Sequence, residues 1–267
     1  MANRPLPAAR PRFGETLRTD AWWTQPLLVV LPLAAFFLYA NWAAFQGVHY
    51  TFGPYLSPFY SPEVFGDSPH AWFGPKPAIW PAWLPYSPAL LILPFPGLFR
   101  ITCYYYRGAY YKAIAVDPPA CAVGEPRKGY GGEASFPFTI QNLHRYALYM
   151  SLVFLVILLV DAWHAFWFTD PATGRAHFGL GVGTLVMLAN VTLLGSYTLG
   201  CHSMRHILGG YRDRLSRTLL RKRLYDCSSC LNRGHMRWAW VSLFGVGLTD
   251  LYIRLCSMGI LTDWRIF

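Results

Sequence analysis

Cys201, His202 and His206 fall within six residues, in Gly200-Cys201-His202-Ser203-Met204-Arg205-His206. A helical reading puts His202 and His206 one turn apart on one face, close enough for both rings to reach one metal. Cys103, Cys121, Cys227, Cys230, His144 and His235 lie at or near the ends of apolar runs that the charge pattern below assigns to the same side. Two thiolates and two imidazoles suit a Rieske-type [2Fe–2S] centre, with thiolates on one iron and imidazoles on the other. Four such ligands also suit zinc. Two histidines facing each other from different helices suit a b-type haem. Residue types and spacing leave the three open. Cys227-Ser228-Ser229-Cys230 is a CxxC without a companion pair and carries no argument.

Tyrosines and cations interleave in Cys103-Tyr104-Tyr105-Tyr106-Arg107-Gly108-Ala109-Tyr110-Tyr111-Lys112. Their hydroxyls and guanidinium suit the carbonyls of a quinone. The same composition also suits an aromatic belt at a membrane interface with snorkelling cations. Charges inside apolar spans are costly and draw suspicion of function. Arg145 and Asp161 lie near opposite ends of one such run. Asp250 and Arg254 stand four apart in another, which lets them pair as a structural bridge.

These residues are positioned by a membrane protein. Of 267 residues 54% are hydrophobic and 13% charged, about half the charge of a soluble domain. Five stretches reach the roughly 20 apolar residues that a spanning helix needs: 26–45, 84–104, 140–166, 178–199 and 238–260. Pro85, Pro88, Pro94 and Pro96 interrupt the second, which is expected to kink. The fold class is therefore an all-α membrane bundle of about five helices. Residues 1–25 form an N-terminal segment and 26–267 one membrane domain. The polar start of the chain and the length of the first apolar run argue for a retained first helix rather than a cleaved signal.

The 23 basic residues set orientation. Arg4, Arg10, Arg12 and Arg18 precede the first span, and the first loop has only Lys76. The second loop has Arg100, Arg107, Lys112, Arg127 and Lys128, and the third only Arg175. The fourth carries Arg205, Arg212, Arg214, Arg217, Arg221, Lys222, Arg223, Arg233 and Arg237. That alternation predicts a cytoplasmic N-terminus in a bacterial inner membrane. Basic residues placed between apolar runs meet lipid headgroups or an acidic protein rather than nucleic acid. On this topology five of the six cysteines face the cytoplasm, where thiols stay reduced and metal or redox use gains weight.

Four motifs, in order, carry a resemblance. Ile101-Thr102-Cys103-Tyr104-Tyr105-Tyr106-Arg107, Pro119-Ala120-Cys121-Ala122-Val123-Gly124-Glu125-Pro126, Gln141-Asn142-Leu143-His144-Arg145-Tyr146 and Tyr197-Thr198-Leu199-Gly200-Cys201-His202-Ser203-Met204-Arg205-His206 together resemble the membrane anchor of actinobacterial-type succinate dehydrogenase. Thr249-Asp250-Leu251-Tyr252 extends the match into the last span. The resemblance implies a subunit of respiratory complex II that holds a flavoprotein and an iron–sulfur protein and passes their electrons to quinone. It implies ligands for an embedded [2Fe–2S] centre among Cys103, Cys121, His144, Cys201, His202 and His206, six candidates for four places. Tyr104, Tyr106, Arg107 and Arg145 are the expected quinone-binding residues. Two alternatives stand beside it: an anchor with b-type haem between facing histidine pairs, in which a two-haem arrangement would also use histidines such as His164 or His177, and an unrelated membrane enzyme or transporter with a structural metal site.

Overall fold

The structure is a computed structural model and describes residues 11–83, 85–129, 134, 136, 138–170, 172–211, 214 and 218–267. Arg4, Arg10, Leu84, Arg212 and Arg217, used above, lie outside them. Among the described residues four helices are long and apolar enough to cross a membrane. They are α1 (Thr24–Gln46), a span over Thr139–His164 made of a 3₁₀ turn (Phe138–Leu143) and α5 (His144–His164), α6 (Val182–Leu199) and α9 (His235–Ser257). The all-α membrane class holds.

The second predicted span is interrupted at its prolines. It forms α2 (Pro88–Ile92) and α3 (Pro94–Ile101), followed after an extended Cys103 by α4 (Tyr104–Ala113). Pro88 suits the first turn of α2, where its missing N–H costs nothing. Pro94 has no N–H to continue α2 and breaks it there. The fourteen positions from Pro88 to Ile101 rise about 21 Å, short of the roughly 30 Å hydrocarbon layer. The prolines thus give the kink expected of them, and among the described residues four helices rather than five reach spanning length unbroken.

The chain divides into two compact units, Met1–Ala35 with Ile101–Asn142, and Phe36–Arg100 with Leu143–Phe267. In the first, residues 12–15 run beside Gly124: Gly14 N donates to Gly124 O at 3.0 Å, and Gly124 N to Glu15 O at 2.9 Å. Gly124 is required there, since a Cβ would lie 2.0 Å from Arg12 O. Cys103, Tyr106, Tyr111 and Val123 are buried.

In the second unit α6 packs against both α5 and α9. Two short antiparallel hairpins close one end: β1 (Thr51–Phe52) with β2 (Tyr55–Leu56), and β3 (Trp167–Thr169) with β4 (Ala176–Phe178). Tyr55 is fully buried there and donates to Asp263 Oδ2 at 2.8 Å, while Tyr252 donates to Oδ1 at 2.7 Å. At the other end α6 gives way to α7 (His202–Gly209) and α8 (Leu219–Arg233). One apolar cluster gathers Ala43, Ala44, Leu56, Phe59, Tyr60, Ala89 and Val246.

Candidate functional site

Cys201 owes its position to the end of α6. It is the extended residue that caps α7, and Ser228 Oγ and Asn232 Nδ2 of α8 donate to the terminal carbonyls of Leu199 and Gly200 at 2.7 and 2.8 Å. Those bonds satisfy acceptors that a helix end leaves open. Arg205, one turn on, reaches Ser229, Tyr225 and Asn232 of α8 at 3.1 to 3.3 Å. The α6–α7 corner is therefore held by side chains of α8.

His144, the first residue of α5, meets this corner. Its Nε2 lies 3.1 Å from Cys201 Sγ, and Cys201 is 2% exposed. The two are 57 residues apart in sequence. A thiolate and an imidazole on one tetrahedral ion, at about 2.3 and 2.1 Å, sit roughly 3.6 Å apart, so the pair needs only a small parting to share one.

A run of rings leads away from it. The His144 imidazole stacks on Phe99 (centroids 4.9 Å, 6°), Phe99 meets Tyr197 edge-on at 5.3 Å, and Tyr197 stacks on His235 (5.0 Å, 14°). Arg100 lies over Tyr197 at 4.8 Å and donates to Ala239 O and Ser242 Oγ of α9. Sequence reasoning placed His235 on the correct side but left it out of the ligand set. Phe99 and Tyr197 it treated as ordinary residues of apolar runs.

His202 and His206 do pair, with Nε2 atoms 3.1 Å apart on α7. Both are exposed. Partial burial, then repulsion from His206 and Arg205, holds His202 below the usual imidazole range. Neutral imidazole is the form that binds metal.

Cys103 and Cys121 belong to the other unit. Cys103 is buried and caps α4. Cys121 is exposed, and its carbonyl accepts from Arg18 at 2.9 Å. Among the described residues no three His, Cys, Asp or Glu side chains gather closely enough to hold a metal ion. Of the six candidates the second unit brings His144 to Cys201 and His202 to His206. The chemistry of the six matches a two-thiol, two-imidazole centre. Of the outer-end histidines named for haem, His177 accepts from Arg265 at 2.9 Å.

Of the expected quinone residues, Arg107 lies over the ring of Tyr104 at 4.5 Å, and Tyr104 is 76% exposed. Tyr106, on the same helix, is buried. Arg145 is exposed at the start of α5, in the second unit.

Comparison with known proteins identifies this arrangement. A solved chain of the Mycobacterium smegmatis Sdh1 complex in the apo form shares 41% identity, covers 99% of this chain and 98% of its own length, and superposes with a TM-score of 0.85. No curated protein sequence matches the chain. The model of the actinobacterial succinate dehydrogenase subunit SdhC matches residues 24–259, and with that span covered the chain belongs to this family of multi-pass succinate dehydrogenase membrane subunits.

Proposed function

We propose that this subunit anchors the flavoprotein and iron–sulfur subunits of succinate dehydrogenase to the cytoplasmic side of a bacterial membrane and passes their electrons to quinone. Family membership over residues 24–259 carries the reading. The alternation of basic residues supports a cytoplasmic N-terminus. On that orientation the His144–Cys201 corner faces the docked subunits, and the cations of α7 and α8 suit acidic protein or lipid surfaces.

The His144–Cys201 contact puts a buried thiol beside an imidazole; a Rieske-type group, with thiolates and imidazoles on different irons, would hold the two side chains further apart than they stand. Cys103, Cys121, His144, Cys201, His202 and His206 are the candidate ligands for the four places of a Rieske-type group. Imidazoles in place of two thiolates raise the potential of such a group, which supplies one-electron transfer. His144 and His235 are the histidines nearest to a haem-type facing pair. Phe99 and Tyr197 fill the space between them, which favours the iron–sulfur reading. Tyr104, Tyr106, Arg107 and Arg145 remain candidate hydrogen-bond donors to quinone.

Purification of the native complex in mild detergent tests this. Flavin and iron–sulfur polypeptides should co-purify, succinate should reduce quinone, and the reduced sample should show a Rieske-type [2Fe–2S] paramagnetic signal in addition to those of the iron–sulfur subunit. Haem absorption bands without that signal would establish the haem alternative. A chain purified with no flavin-bearing partner would defeat the reading altogether.

A further inference from the structure

One face of α5 carries His144, Leu148, Ser151, Leu155 and Leu158, at helical spacing. Beyond His144 that face borders a cleft, lined among others by Phe99 of α3, Phe154 and Leu158 of α5, and Leu194 and Thr198 of α6. The cleft is half open, and all its lining residues lie within the second unit.

Ser151 is the odd member of this wall. It is 7% exposed, and its Oγ has no hydrogen-bond partner. A buried hydroxyl left unsatisfied costs about 1–3 kcal/mol, and in hydrocarbon no water relieves it. The usual remedy in a membrane helix is a bond to the carbonyl four residues back. Thr192, Ser196 and Thr249 all take it, donating to Leu188, Thr192 and Gly245 at 2.8 Å. Ser151 does not, so its donor is available to a ligand in the cleft.

That ligand must be mostly apolar, since Pro96, Phe99, Phe154, Leu155, Leu158 and Leu194 make most of the wall, with Arg100, Tyr197 and Thr198 as its other polar members, and must carry an acceptor oxygen opposite Ser151. An acyl chain has no acceptor at that depth; a quinone ring has a carbonyl on each side of a flat apolar body. Ser151 lies seven residues from His144, about 10 Å along the helix, and Phe99 both stacks on His144 and lines the cleft. Resting on the quinone-reducing function proposed above, we infer that this cleft binds the quinone headgroup, with Ser151 Oγ donating to one carbonyl. Ser151 is thus a binding residue in the interior of the bundle, additional to the tyrosine–arginine patch of α4.

The test uses the purified whole complex, with a short-chain quinone as the probe and succinate oxidation by an artificial acceptor as the control for assembly. Ser151→Ala should raise KM for quinone about five- to tenfold, the loss of roughly one hydrogen bond, with kcat changing less. Ser151→Thr, which restores the hydroxyl, should recover most of it. Leu194→Trp, which fills the cleft, should raise KM further. Wild-type KM in both Ser151→Ala and Leu194→Trp overturns the inference, as does a KM that responds only to Tyr104 or Arg107 variants. A wild-type complex that oxidises succinate but never reduces quinone defeats the functional reading itself, and this inference with it.

Discussion

Asp250 and Arg254, one turn apart on α9, form an ion pair with Nε 3.3 Å from Oδ2 and side chains 0% and 1% exposed. Tyr39 donates to Asp250 Oδ2 at 2.6 Å and Ser57 donates to Oδ1. Arg254 Nη1 donates to Val48 O at 2.8 Å, and its guanidinium lies over Trp42 at 5.3 Å. The pair therefore ties α9 to α1 and to the segment that follows α1, which is a structural task. Losing one partner of a buried pair strands a charge and costs about 3–5 kcal/mol, while replacing both with apolar residues costs far less. Asp250→Leu and Arg254→Leu should each sharply lower the unfolding midpoint of the purified complex. The double variant should lose less than the sum. Additive losses would mean that the two charges are not coupled.

A second prediction concerns the packing at the same end. A Cβ on Gly183 would lie 2.4 Å from the Tyr55 ring, which is fully buried between α6 and Asp263. The ring has nowhere to go, because its hydroxyl is held at 2.8 Å. Gly183→Ala should therefore destabilise the subunit by about 1–3 kcal/mol, the range for overpacking a filled core. Gly108→Ala, where a Cβ meets nothing within 4 Å, is the matched control inside a helix and should be neutral or mildly stabilising. Equal midpoints for the two variants would contradict the packing described.

Orientation is tested by cysteine labelling of intact cells with a membrane-impermeant thiol reagent. Cysteine at position 76 should react from outside, and cysteine at 222 on α8 only after the cells are opened. Cys227 and Cys230, exposed on the same helix, provide an internal control. Reaction at 222 before 76 would invert the topology.

The four long spans are legible in the sequence because about twenty apolar residues in a row admit few other folds. The stretch from Pro88 to Ile101 is expected to kink at its prolines, and it is helical in two pieces joined at Leu93. The pairing of Asp250 with Arg254 follows from helical spacing alone. Its partners Tyr39, Ser57 and Val48 lie about two hundred residues away and leave no local trace. The same holds at the α6–α7 corner. His202 with His206 is visible as an i, i+4 pair, whereas His144 with Cys201 exists only because α5 and α6 pack. Phe99 and Tyr197 could not be told from lipid-facing aromatics by sequence, since only the fold turns them towards histidines.

That difference in origin separates the candidate ligands experimentally. Cys201 and His144 are in contact and the thiol is buried, so either one's loss cannot be made good by solvent. His202 and His206 are exposed and paired with each other. If the redox centre sits at the α6–α7 corner, Cys201→Ser and His144→Gln should each remove the additional Rieske-type [2Fe–2S] paramagnetic signal and quinone reduction, while the signals of the iron–sulfur subunit and succinate oxidation by an artificial acceptor persist. Among the remaining candidates, only those that are true ligands should do the same. His202→Gln and His206→Gln can be told apart because a second-sphere histidine would shift the signal or its potential without abolishing it. Cys103→Ser and Cys121→Ser identify the second thiolate by the same criterion. An undiminished signal in both Cys201→Ser and His144→Gln would remove the centre from this corner. Haem absorption lost in His144→Gln would instead assign that residue to a haem.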